Sequence, residues 1–423
     1  MKNSFKAFFA AGLLSAGIGF GAGFSILEQS VPGMGRSLAG MTADTTDPAS
    51  LYFNPAASGW FEHAEISIGN HMLRSRAYFS DHGSSDGLGT DESGDQGGWV
   101  AIPNLYYVQP ITANVVFGIG MSATSGTRTD YNPHWIGRYT ATETEITVMD
   151  FTPSLAWKVR DDFSIGIGLV TEYAKATIAQ QVDLSAYGLK HNQMKVKGDG
   201  AAFGFSAGML YEPFSGTKIG LGYRSRMKID LDLSARVRNA DALKAYGIRL
   251  KSDGDAELKL PSMINFGISQ DIGEAWKVMA DIRWTEWSVM DELTIKFDKP
   301  VLGQKQSTQE MKWTNNWTIA LGGEYKLNDK FTLRAGVAFD ECTNRDEYRN
   351  TKLPDANRYW ISAGLGYQAT EHLRFDFSIM HLFFEHVSYK QASPVPGSTE
   401  VGYVKGKELA DANIISLGLT YAF

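Results

Sequence analysis

Apolar and polar residues alternate one for one along much of this chain, most clearly in its closing stretch. Ile415, Leu417, Leu419, Tyr421 and Phe423 alternate with Ser416, Gly418, Thr420 and Ala422. A period of two puts every second side chain on the same side of an extended backbone, so this reads as a strand with one apolar face and one small, polar face. Thr332, Arg334 and Asp340 are set between Leu333, Ala335, Val337 and Phe339 in the same way, and Arg358, Trp360 and Ser362 between Tyr359, Ile361 and Ala363. Arg224, Arg226, Lys228 and Asp230 interleave with Tyr223, Met227, Ile229 and Leu231. An arginine held against lipid near the bilayer midplane costs about 2–4 kcal/mol, so the charged phase is expected to face inward. A soluble β-sandwich would alternate too, but a terminal strand with an apolar outer face invites aggregation there. An outer-membrane barrel requires such a strand, one face for lipid and one for the lumen.

From about His63 onward, strands of roughly 10 to 20 residues are divided by two kinds of connection. Short ones occur at Pro110–Asn114, Arg160–Asp162, Glu212–Gly216, Asp271–Glu274, Asn328–Lys330 and Thr370–His372. Long polar ones lie around 80–98, 127–145, 183–201, 238–255, 298–312, 344–357 and 389–411. Short and long alternate strictly, which predicts an all-β, antiparallel up-and-down transmembrane barrel of about fourteen strands, with tight periplasmic turns and long outer loops. With Phe423 as a periplasmic end, the 183–201 and 238–255 loops become extracellular.

Composition fits this picture. Mean hydropathy is −0.21, and past the N-terminus no apolar run reaches the ~18 residues of a helical span. A barrel needs none, since only alternate residues meet lipid. The 10 Trp, 18 Tyr and 23 Phe suit interfacial girdles, and the 44 Gly suit a crowded lumen. The net charge of −7 without a basic stripe speaks against a nucleic-acid partner. The single Cys342 leaves no intrachain disulfide and no cysteine-rich metal cluster; no cofactor and no metal site is expected. At the start, Lys2 and Lys6 precede an apolar stretch from Ala7 to Phe20, then small residues. That is a signal peptide over residues 1–21, cleaved after Gly21 or Gly23.

Residues 22–61 carry Pro32, Gly33, Gly35, Gly40, Pro48 and Pro55 with no sustained period, yet are too rich in Leu, Met, Phe and Tyr for a disordered arm. A small folded piece inside the barrel of residues 62–423 is expected. Within it, Glu28-Gln-Ser-Val-Pro-Gly-Met-Gly-Arg-Ser-Leu-Ala-Gly40 followed by Asn54-Pro-Ala56 resembles the N-terminal hatch of the FadL family. Colinear stretches carry the resemblance along the barrel: Ile102-Pro-Asn-Leu105, Tyr223-Arg-Ser225 with Lys228-Ile-Asp230, Leu260-Pro261, Trp284-Thr-Glu-Trp-Ser288, Ala338-Phe-Asp340, Pro354-Asp355 with Arg358-Tyr-Trp-Ile-Ser-Ala-Gly364, and Tyr421-Ala-Phe423.

The resemblance implies a monomeric fourteen-stranded barrel plugged by its hatch, embedded among outer-membrane lipid and lipopolysaccharide. It implies passive uptake of long-chain fatty acids or, in one branch, aromatic hydrocarbons. Ligand enters an apolar groove on the outer loops, passes to a lumenal pocket and leaves sideways at a kink in the third strand. Leu184, Tyr187, Leu189, Leu243, Tyr246 and Ile248 are the groove candidates here, since exposed apolar patches mark binding sites. Ala123-Thr124-Ser125-Gly126 falls where the kink belongs, and Pro103 in the strand before can relieve pairing beside it. Arg224, Arg226, Arg334 and Arg358, with Asp340, are headgroup candidates, because an arginine fork matches a carboxylate. Gly33, Gly35, Arg36, Asn54, Pro55 and Ala56 are expected to hold and gate the hatch, with the Asn-Pro-Ala turn against the wall near the kink.

Two other classes compete. An enzyme needs a Ser/His or Asp/His constellation, and the eight histidines are scattered, with His381 and His386 on opposite faces of one strand. A general porin would have an open lumen and no plug.

Overall fold

The computed structural model describes residues 22–423; the expected signal peptide, 1–21, lies outside the described residues. The wall begins with β1 (Glu65–Asp81), β2 (Trp99–Thr112), β3 (Val115–Asp130), β4 (Glu143–Arg160), β5 (Phe163–Val182), β6 (Asn192–Phe214) and β7 (Thr217–Arg224). A hairpin of β8 (Met227–Arg238) and β9 (Lys251–Leu260) follows. β10 (Met263–Ile272) and β11 (Trp276–Thr285) rejoin the wall before a second hairpin, β12 (Glu292–Val301) and β13 (Gln304–Glu310). β14 (Asn316–Lys326), β15 (Phe331–Asp340), β16 (Arg358–Gln368) and β17 (Leu373–Phe384) continue it, and short β18 (Val387–Pro394) precedes the closing β19 (Val401–Ala422).

All pairings are antiparallel. β7 pairs with β10, β11 with β14 and β17 with β19, so the two hairpins and β18 stand outside the ring. β19 runs along β1 from Glu65↔Ala422 to Asp81↔Gly406, which closes a ring of fourteen strands, the way a sheet crosses a bilayer. The short turns all lie at the end that holds Glu65 and Ala422, and the long connections at the other. Along the wall Ile165, Ile167, Leu169, Phe203, Phe205, Leu321, Val337, Ile361 and Leu417 are exposed, as a lipid-facing band requires.

One expectation is corrected. Arg224 is buried, but Arg226, Lys228 and Asp230 are exposed while Met227, Ile229 and Leu231 are buried. The alternation changes phase at Ser225 and Arg226, between β7 and β8. Above the membrane the outside meets water and the inside must stay apolar, so the charges turn outward.

Residues 22–61 fold inside the barrel through α1 (Val31–Met34), α2 (Ser50–Phe53) and two short 3-10 turns, Met41–Ala43 and Pro55–Trp60. Nearly every residue there is buried. Lumenal glycines make room for its backbone: a Cβ at Gly222 would overlap the Phe53 carbonyl, and one at Gly336 the backbone of Arg36. Gly40 takes φ +78° where the chain turns into Met41–Ala43, a conformation that favours glycine.

Candidate ligand path

At the outer end, the connection after β5 meets the loop between β8 and β9. Leu184, Tyr187, Leu243, Gly247, Ile248 and Arg249 line a groove of about 520 Å3, with Pro300, Leu302 and Gly303 from the second hairpin. Tyr246 lies beside Tyr187, ring centroids 6.2 Å apart, and Leu189 packs on the apolar cluster below. All six groove candidates therefore sit together. Single 3-10 turns, Ser185–Tyr187 and Asp241–Tyr246, present them, each closed by a glycine with positive φ, Gly188 and Gly247.

Behind the groove lies a cavity of about 380 Å3. Ile178, Val182, Met194, Val196, Leu293 and Ile295 supply one apolar wall, Gln180, Gln181, Gln304, Ser307 and Gln309 a polar one, and Lys352 and Asp183 its charged groups. Leu184 and Leu302 line both spaces. The apolar cluster that contains Leu184, Leu243 and Val196 reaches inward to Phe24, Trp287 and Trp313, with Phe24 4.7 Å from Trp287 between ring centroids.

Phe24 stands at an opening in the wall. β2 and β3 pair only from Thr112↔Val115 to Asn104↔Ser122, so their ladder ends at the residue that follows Pro103. Beyond it β3 bulges at Thr124, between Ala123 and Ser125. The free edge of β3 is taken by the N-terminal segment: the Ile26 amide donates to the Thr124 carbonyl (2.9 Å) and the Gly126 amide to the Phe24 carbonyl (2.7 Å). Ser25 and Ser125 form an antiparallel bridge, and Gln29 Nε2 donates to the Ala123 carbonyl (2.6 Å). Pro103, Thr124, Ser125 and Gly126 thus share one break in the barrel, covered from inside by residues 24–29.

The arginines form buried networks. Arg224 pairs with Asp150 and with Glu172 (3.1 Å), and Glu172 also accepts from the bulged Thr124 (3.0 Å). Arg36 pairs with Asp44 and Glu324; Glu324 pairs with Arg334 (2.9 Å), which pairs with Asp376 (2.7 Å). Arg358 lies between Asp340 (3.1 Å) and Asp355 (2.9 Å). Those two carboxylates also accept from the Ala22 and Gly23 amides, each at 3.1 Å. None of these four arginines lines the groove or the cavity behind it. Arg358 borders a separate small space of about 30 Å3 next to Gly23, Thr127 and Phe384.

Asn54 Nδ2 donates to the carbonyls of Thr42 (2.8 Å) and Met209 (3.0 Å), and its Oδ1 accepts from the Ala56 amide (3.0 Å). Pro55 and Ala56 pack over Gly166. The turn therefore meets β5 and β6, not the bulged part of β3. The Gly33 amide donates to Oγ of Ser30 (2.7 Å), the N-cap of α1, and Gly35 lies against Gly364. Gly204-Phe205-Ser206-Ala207-Gly208 has the spacing of a serine-hydrolase elbow. It lies mid-strand in β6, with Ser206 paired to Gly168 and Arg224, and not at the strand-to-helix turn that such a nucleophile needs.

Comparison with known proteins agrees with this architecture. The profile of the outer membrane protein transport protein family (OMPP1/FadL/TodX) matches residues 12–423. Outer membrane protein P1 of Haemophilus influenzae is 28% identical, with 97% of each chain covered. The long-chain fatty acid transport protein of Escherichia coli K12 is 26% identical over 88% of this chain and 90% of its own. A crystal structure of a Pseudomonas aeruginosa FadL homologue superposes with a TM-score of 0.87 at 25% identity, covering 95% of this chain and 100% of that one. A toluene transporter of Ralstonia pickettii shares the fold, with a TM-score of 0.67 at 18% identity over 96% and 98% of the two chains.

Proposed function

This chain belongs to the OMPP1/FadL/TodX family of outer-membrane transport proteins, and we propose that the hydrophobic compounds it admits are long-chain fatty acids. One observation carries the reading: the groove and the cavity share Leu184 and Leu302, and the apolar cluster around them continues to Phe24 at the break between β2 and β3. A fatty acid gains about 0.8 kcal/mol for each methylene it buries, so its tail favours every station of this route over water. Ligand moving inward from the cavity along that cluster would meet Phe24, whose segment is held to β3 by a few backbone hydrogen bonds. Each is worth about 0.5–1.5 kcal/mol net, which a handful of buried methylenes offsets. Moving residues 24–26 off the β3 edge would open the gap towards lipid. The curated relatives named as fatty acid transport proteins support the same substrate class.

The test is uptake of radiolabelled oleate by cells that lack their own fatty-acid channel and express this protein. Oleate uptake is expected, and Leu184→Ser, which removes apolar surface shared by groove and cavity, is expected to reduce it severalfold without changing the amount of folded barrel. Uptake of toluene with none of oleate would contradict the reading and favour an aromatic hydrocarbon channel.

A further inference from the structure

We propose that the outer face of β18, β19 and β1 is a docking surface for lipopolysaccharide, with Arg76, Lys390, Lys405 and Lys407 on the phosphates and acidic inner-core sugars of one molecule. The inference goes beyond the uptake reading and does not depend on which compound the barrel admits.

The register of the three strands gathers these residues. Lys390 lies directly opposite Lys405, and Ser388 opposite Lys407. On the other side of β19, β1 sets Ser80 against Lys407, Tyr78 against Leu409 and Arg76 against Asp411. Tyr389, Val404, Gly406 and Glu408, which alternate with them, are buried, so the basic side chains share the outer face. The Lys390 and Lys405 ammonium groups both stand over the Tyr403 ring, 4.2 and 5.9 Å from its centroid. Like charges directly opposite one another in a sheet are destabilising, and no carboxylate offsets this pair. Among the described residues none of the four cations forms an ion pair.

This face departs from the rest of the molecule. The whole chain carries a net charge of −7. The comparable outer face of β8 and β9 compensates itself, with Lys228 paired to Asp230 (3.5 Å) and Glu257 (2.6 Å). Above Asp411, by contrast, no outward position is acidic from Leu409 to Tyr403 on β19, from Tyr78 to Ser80 on β1 or from Ser388 to Ala392 on β18. Glu408 points inward, where its carboxylate accepts from Tyr389 (2.8 Å).

Height selects the anion. Tyr421 forms an aromatic group with Tyr107 and Phe423 at the periplasmic rim, and Asp411 is ten residues from it. At about 3.4 Å per residue and a tilt of about 40° that is a rise of ~26 Å, the height of the apolar band. Lys407 and Lys405 stand about 10 and 16 Å farther out on the same rise. Lipid A holds its phosphates at the top of its acyl layer, with the acidic inner-core sugars directly above. Exposed Tyr78 and Leu409 lie between Arg76 and Lys407 and offer apolar contact to the sugar and acyl junction. A phospholipid headgroup ends near Arg76 and leaves Lys390 and Lys405 without an anion.

Native mass spectrometry of the purified full-length barrel, titrated with deep-rough lipopolysaccharide and separately with phosphatidylglycerol, tests the assignment. Each basic residue close to an anionic lipid surface contributes about fivefold in affinity, so the lipopolysaccharide should bind at least tenfold more tightly. Lys390→Gln, Lys405→Gln and Lys407→Gln together should weaken it about a hundredfold and leave phosphatidylglycerol nearly unchanged. The corresponding three arginine substitutions should keep it, as should Lys228→Gln on the compensated face. Heat-modifiable gel migration confirms that each variant folds. Undiminished lipopolysaccharide binding by the triple glutamine variant overturns the proposal. So does a wild type that binds the two lipids equally, or binds neither.

Discussion

Arg358 shows what one lumenal residue does in this barrel. Its guanidinium, 1% exposed, lies between Asp340 and Asp355, and those carboxylates in turn hold the amides of Ala22 and Gly23. Removing one partner of a buried ion pair leaves uncompensated charge and typically costs about 3–5 kcal/mol. Arg358→Met should therefore lower the temperature at which the barrel loses its folded gel migration. The inward orientation of Arg334 and Arg358 was legible from alternation alone. Their function was not, because their carboxylate partners come from other strands and the hatch, and sequence spacing does not reveal who meets whom across a lumen.

Among the elements, the N-terminal segment does two separable things. Residues 24–29 complete the broken edge of β3, while Asn54-Pro55-Ala56 fixes the other end of the segment on β5 and β6. Deleting residues 54–56 removes the Asn54 contacts to Thr42 and Met209 but no barrel strand. The deletion is expected to abolish oleate uptake while folded barrel still reaches the outer membrane, measured by uptake and gel migration together; unimpaired uptake would refute the anchoring role. The position of the break came from the family resemblance, which put a kink at Ala123–Gly126; Pro103 alone did not single it out, since Pro153 also lies in a strand. That residues 24–26 pair with it was not legible, because three residues carry no strand signal of their own. The second hairpin was also hidden: Leu293 and Ile295 line the cavity, but part of that hairpin read as polar loop, and its apolar inner face became apparent only with its register to β9.

At the scale of the molecule, strict alternation of short and long connections was enough to count fourteen strands and orient them. It could not tell where the wall ends. β8, β9, β12, β13 and β18 extend the sheet above the ring, and the change of phase at Ser225–Arg226 marks the height at which water replaces lipid outside. Together these parts make a barrel whose axis is blocked by its own N-terminal segment, and the proposed apolar route bends from groove to cavity to side wall. Photo-crosslinking with a diazirine-tailed C16 fatty acid on the membrane-embedded protein, followed by peptide mapping, tests that bent route most directly. Crosslinks suppressed by excess oleate are predicted around Leu184 and Leu243, around Ile295 and Lys352, and at Pro103 and Thr124. Crosslinks that continue down the axis past Asn54 to the periplasmic turns, with none at the break between β2 and β3, would contradict lateral exit.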